Sequence, residues 1–146
     1  MKFLNYDAPE ELVIKMLEQA ISGAIDKANL LSTDIDILLS GDLLNQIISA
    51  SFAARDFDFP FLGLYSACST MSESLALGAT LIDGGYFEKI VAATGSHFAS
   101  AERQYRYPLE YGGQRTPTAQ WTVTGAGAVV LSSKHAPIRL TRATPG

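Results

Sequence analysis

The chain has 146 residues, 47% hydrophobic and 18% charged, with a formal net charge of -4; that is one domain with its own core, and the apolar balance argues for strands buried on both faces. The acidic balance and the lack of a long basic run argue against nucleic acid as a partner, and no apolar stretch is long enough to span a bilayer. Met1–Asp7 lacks the apolar core of a signal peptide, and a lone cysteine excludes an internal disulfide and fits a reducing, cytosolic compartment.

Asp7 and Glu10 form the pattern of a capping box, with Pro9 allowed in the first helical turn. Leu12, Met16, Ala20, Ala24 and Ala28 recur every four residues, which predicts a helix from about Pro9 to Asn29 with that face buried. Ile35–Leu39 is a short β-prone run ending at Ser40-Gly41. Asp42 is placed to cap a second helix, from about Leu43 to Ala54. Phe59–Leu64 reads as the next strand. Cys68–Ile82 reads as a third helix, closed by Asp83-Gly84-Gly85. Lys89–Thr94 and Ala126–Leu131 are further strands, and Pro137–Arg142 has the pattern of one more.

Helices and strands alternate at short spacing, so the sheet is expected to be largely parallel with right-handed crossovers. Ligands bind such sheets beyond the carboxyl ends of the strands. Ser40-Gly41-Asp42, Tyr65–Cys68, Thr94–His97 and parts of Gly95–Thr124 are the candidates for that edge. The last of these is a long irregular segment carrying Arg103, Arg106, Arg115, Tyr105, Tyr107, Tyr111 and Trp121. It is too aromatic for a plain disordered tail and is expected to fold over the strand ends or pack into a subunit interface.

Phe59–Met71 organises the rest. An apolar run leads into a turn of small residues and then the opening of a helix, where Cys68 stands. Unpaired backbone amides and the positive end of the helix dipole favour thiolate there, and the same amides can hold a carboxylate. The residues therefore offer a nucleophile or an anion cradle. The plain structural alternative is a buried cysteine acting as a small hydrophobe.

Gly41-Asp42-Leu43-Leu44-Asn45-Gln46, Ala67-Cys68-Ser69-Thr70, Ser96-His97 and Ala101-Glu102-Arg103-Gln104 resemble the stage V sporulation protein AD family. Tyr107-Pro108, Glu110–Gln114 and Thr122-Val123-Thr124-Gly125 extend the resemblance over nearly the whole chain. That family belongs to the thiolase-like superfamily, with the ketoacyl and chalcone synthases. The resemblance implies an α/β fold: a thiolase-like three-layer α/β/α half with a mostly parallel sheet. It implies one N-terminal half-domain over residues 1–146, truncated relative to the family at both ends, because family members are about twice this long. The central strand expected before the first helix has no counterpart in Met1–Tyr6, so its two neighbours are expected to lack a partner. Serine at position 66 stands where glycine is expected, and would be strained at positive φ.

The resemblance also implies function: binding of dipicolinic acid (pyridine-2,6-dicarboxylate) or its calcium chelate during its movement into or out of the spore. No catalysis and no cofactor is required. It implies a homodimer, with Lys89–Thr94 near the twofold axis. It places the protein peripherally at the cytoplasmic face of the spore inner membrane, beside integral membrane partners. The site residues it carries over are Cys68 with Ala67 and Ser69, Thr94, Ser96 and His97, together with Asn45 and Arg103.

A thiolase-like acyltransferase with Cys68 as nucleophile is the alternative class; a subunit with a purely assembly role is the third. A nucleophile needs a base and an oxyanion hole. His97 follows a strand end and can approach Cys68, whereas His135 reads as a surface turn. The superfamily's catalytic histidine and its partner lie in the second half. For a dicarboxylate, Arg103 and Arg115 suit the far carboxylate through the guanidinium fork, set against ordinary salt bridges with Glu102 or Glu110. Tyr65 or Tyr111 can wall the ring. Asn45 and Gln46 open a helix near a strand end, where capping is an equal reading. Gly125 and Gly127 lack the lysine and following helix of a phosphate loop and are read as close backbone packing. No metal-ligand spacing is present.

Overall fold

The fold is described by a computed structural model covering residues 9–43, 47–98, 122–134 and 138–144. The element order is α1 (Pro9–Lys27), β1 (Ile37–Asp42), α2 (Ile48–Ala54), β2 (Phe61–Gly63), α3 (Thr70–Asp83), β3 (Lys89–Ser96) and β4 (Gly125–Ser132). Asp7 and the strand start at Pro137 lie outside the described residues.

α1 has the expected four-residue period, but its buried face lies one residue further along. Val13, Leu17, Ile21 and Ile25 are 0–3% exposed, while Ala28 of the expected stripe is exposed. The larger aliphatic side chains remove more apolar area from water than the alanines do, and this sets the helix rotation. The helix ends in a Schellman motif. Asn29 adopts φ 54°, and the amides of Leu30 and Asn29 return to the carbonyls of Ile25 and Asp26. α3 ends the same way: Gly85 has φ 75°, and the amides of Tyr86 and Gly85 return to Leu81 and Ile82.

The four strands form one sheet in the order β2-β1-β3-β4. β1 runs parallel to β2 and β3, and β4 runs antiparallel to β3. Helices cover both faces. Val13, Leu17, Ile21, Ile25, Ala50 and Ala53 of α1 and α2 pack with Leu38, Val91 and Ala93 on one face. Leu77 and Leu81 of α3 pack with Ile37, Leu39 and Ile90 on the other. This is the three-layer α/β/α arrangement. All six residues of β1 are buried, as a parallel strand covered on both faces requires.

Three expectations are corrected. β1 and β3 are not left without a partner: they pair directly, from Ile37↔Ile90 to Asp42↔Gly95, so no gap opens in the sheet. α2 starts at Ile48 rather than Leu43. Asp42 does cap it, but from a distance: its carboxylate accepts from the Ala50 amide at 2.6 Å. Residues 138–142 form no strand; Ile138 is 81% exposed, and no described strand lies alongside to accept the alternating pattern. β3 has neighbours along both edges, so it is an interior strand, and residues Lys89–Thr94 have no free edge for a second copy to pair with. No helix among the described residues is long and apolar enough to cross a membrane.

Candidate functional site

β1 and β3 end together, and the Leu43 amide extends their pairing by donating to the Gly95 carbonyl at 3.1 Å. Beyond these carboxyl ends lies a cleft of about 310 Å³. Cys68, Ala67 and Met71 form one wall, Thr94, Gly95 and Ser96 the base, and β4 the other side. Leu43 closes it from the end of β1. No charged side chain lines the cleft among the described residues.

The turn that presents Cys68 is a single turn of 3-10 helix, Ala67–Ser69, leading directly into α3. Cys68 is exposed, so the plain reading of a buried hydrophobe does not hold. The turn closes through the Ser69 amide to the Ser66 carbonyl at 3.0 Å, and through the Ser66 hydroxyl to the Glu73 carboxylate. Ser66 has φ -82° and carries no left-handed strain. The strain falls one residue later: Ala67 has φ 48°. Left-handed backbone costs an alanine roughly 1–2 kcal/mol, and such outliers gather at functional sites. The amides of Ala67 and Cys68 precede the first bonded turn of the helix, where backbone donors have no intrahelical partner.

Four expected site residues therefore meet at one place: Ala67, Cys68, Thr94 and Ser96. Ser69 shares the turn, but its hydroxyl donates to the Ser66 carbonyl at 2.9 Å and it does not line the cleft. His97 follows β3 without lining the cleft; its ring stacks on Phe98 at 5.5 Å, and its buried Nδ1 has no hydrogen-bond partner. Tyr65 is 73% exposed and likewise outside the cleft. Asn45, Arg103, Arg106, Arg115, Tyr111 and His135 lie outside the described residues.

Ser96 and Thr94 play different parts. The Ser96 hydroxyl donates to the Val123 carbonyl, so its proton is committed to the fold. The Thr94 hydroxyl makes no hydrogen bond among the described residues and is available to a ligand. Around Ser96 the two sides of the cleft are stitched further. The Phe98 amide donates to Thr124 Oγ1 at 3.1 Å, and the Thr122 hydroxyl donates to the Phe98 carbonyl at 3.3 Å. This holds Val123 at the cleft with 69% of its surface exposed.

Val123 lies in the long segment expected at this edge; Leu43, Met71, Gly125, Ala126 and Gly127 are lining residues not expected at the site. Apolar side chains and glycines carry no chemical signature; only their position at one sheet edge marks them. Gly125 and Gly127 also correct an expectation. Among the described residues no atom lies within 4 Å of a Cβ built at Gly125, and only Met71 Cε, at 3.9 Å, lies near one at Gly127. Among the described residues, close backbone packing is not the reason for glycine there. Among the described residues no three His, Cys, Asp or Glu side chains gather to hold a metal.

The fold and this cleft define the class. Three solved structures share the architecture: a tetronic acid condensing enzyme (TM-score 0.62, 22% identity, 86% of this chain and 38% of that one), a priming β-ketosynthase of a polyketide pathway (0.63, 18%, 89% and 38%), and 3-oxoacyl-[acyl-carrier-protein] synthase III from Aquifex aeolicus VF5 (0.60, 19%, 85% and 39%). The chain has a thiolase-like fold.

Within that class, the profile of the stage V sporulation protein AD family matches residues 2–146. The chain is 51% identical over 132 residues to stage V sporulation protein AD of Bacillus subtilis (strain 168), covering 90% of this chain and 39% of that protein. The chain belongs to the stage V sporulation protein AD family. It spans well under half the length of the relative it matches.

Proposed function

We propose that the chain binds dipicolinic acid, or its calcium chelate, as a peripheral component of the machinery that moves it across the spore's inner membrane. The observation that carries this reading is the cleft: Ala67 and Cys68, at the turn leading into α3, and Thr94, whose hydroxyl makes no hydrogen bond among the described residues, line it beside apolar walls. Backbone amides at a helix start hold a carboxylate, a hydroxyl can donate to it, and the apolar walls suit the pyridine ring. The reading assigns the second carboxylate to a guanidinium, Arg103, and a hydrogen bond to Asn45, both outside the described residues. Integral membrane proteins and a second copy of the chain are the partners of this reading. Titration calorimetry with dipicolinate tests it: heat of binding in the wild type, weakened in Cys68→Ala, is expected. A wild type that gives no heat overturns it.

The second reading is acyl transfer, favoured by one observation: the Cys68 thiol is exposed at the cleft, where an acyl thioester can reach it. Mass spectrometry after incubation with acyl-thioesters decides this reading. An unmodified Cys68 removes it.

A further inference from the structure

We propose that the outer edge of β4 receives an arm, residues 138–142, from a second copy of the chain, and that the two copies exchange arms about a twofold axis. The dipicolinate reading names a second copy as partner but gives it no surface. The arm and the edge supply one.

Strands that stay at a sheet edge are usually kept short or carry proline or charge nearby. β2 has these features: it is three residues long, follows Pro60, and has the exposed Asp58 beside it. The eight residues of β4, GAGAVVLS, hold no charge and no proline. Among the described residues no strand pairs with the outer edge of β4.

α1 overhangs that edge. It lies over β3 and β4, with α2 on its other side. Val13 and Leu17 face the sheet, and Ile14 and Glu18 face the groove toward Phe52 of α2. Successive helix residues are turned by about 100°, so Leu12, Met16, Ala20 and Ala24 lie on the flank away from α2, beyond β4. Every member of this apolar stripe is only half-buried. A fifth strand beside β4 is what the stripe would cover.

The same chain carries a segment with the pattern of such a strand. Ile138 and Leu140 are two residues apart and share one face when extended, with Arg139 and Thr141 on the other. Residues 138–144 are exposed throughout, Ile138 by 81% and Leu140 by 49%. Their own β4 does not take them. The Ser133 amide donates to the Glu88 carbonyl at 3.3 Å, and the Lys134 ammonium lies 3.9 Å from the Glu88 carboxylate, so the chain leaves β4 tied to the start of β3. The matching edge is on another copy. There Ile138 and Leu140 slide under Leu12 and Met16, and Arg139 stays in water. Charge favours the exchange: the arm carries Arg139 and Arg142 and no acid, in a chain of net charge -4.

Sedimentation of the full chain, wild type, Ile138→Asp and Leu140→Asp, tests this. Both substitutions fall on the exposed arm, so the circular dichroism of the body is expected to hold. The wild type is expected to be a dimer, and each aspartate to raise its dissociation constant by about tenfold or more, because a charge would have to be buried. In a Cys68→Ala background, a mixture of Met16→Cys and Ile138→Cys chains is expected to give a disulfide-linked heterodimer on oxidation. A monomeric wild type overturns the proposal together with the second copy as partner; dipicolinate binding is read separately by its calorimetry. A dimer that both aspartates leave intact, with no mixed disulfide, lies on another surface and refutes the arm alone. A Met16→Cys/Ile138→Cys chain that closes its disulfide within a dilute monomer gives the edge to the chain's own arm and refutes the exchange.

Discussion

At the scale of single residues, the site depends on which polar atoms are already committed. Ser96 and Thr94 look equivalent as sequence, two hydroxyls flanking a glycine. In the fold only Ser96 donates to the backbone, to the Val123 carbonyl. Ser96→Ala is expected to cost about 1 kcal/mol of folding stability, read as a lower denaturation midpoint in urea. Thr94→Val, which keeps the shape, is expected to leave that midpoint in place and weaken dipicolinate binding. Ala67 offers the converse case. With φ 48°, it sits in backbone that glycine occupies without penalty. Ala67→Gly is expected to raise stability by about 1 kcal/mol, and a midpoint that falls instead would show that the turn is not strained.

At the scale of elements, close contacts fix how helices and strands approach each other. β1 crosses under Leu64 so tightly that any side chain at position 41 overlaps a backbone carbonyl. Backbone cannot rotate out of the way as a side-chain tip can. Gly41→Ala is therefore expected to destabilise the fold by about 2 kcal/mol or more, measured by equilibrium unfolding. α2 depends on a longer-range tie. Ile47, its N-cap residue, has φ 54° and makes no side-chain cap; Asp42 supplies the acceptor from the end of β1. Asp42→Ala is expected to cost about 1–2 kcal/mol, with Asp42→Asn recovering part of it because an amide oxygen still accepts.

At the scale of the whole molecule, β1 and β3 are the interior strands, flanked by β2 and β4 and covered by helices on both faces. Amides of Leu38–Ser40 and Ile90–Thr94 are expected to exchange slowest with solvent, and those of β2 and of β4 faster. Uniform protection across the sheet would contradict this order. The same topology constrains assembly. Among the described residues only β2 and β4 have a free edge, so a second copy that extends the sheet must pair at one of those two.

Much of this was legible in the residues. Helix periods, the Gly84-Gly85 stop, the apolar strand runs and the small-residue turn before Cys68 are local signals, fixed by neighbours in sequence, and they placed α1, α3 and the four strands to within about three residues, but not the start of α2 or the strand expected from Pro137. The sequence alone also determined the family, because several blocks of residues occur in one order. The phase of α1 was not local: it depended on which four side chains fit against the sheet. Nor was the direct pairing of β1 with β3, the distant cap on α2, or the commitment of the Ser96 proton. Whether the described residues crowd Gly125 and Gly127 was also undetermined, since a glycine reads the same either way. Tertiary structure decided these, because each is a statement about what lies nearby in space rather than along the chain.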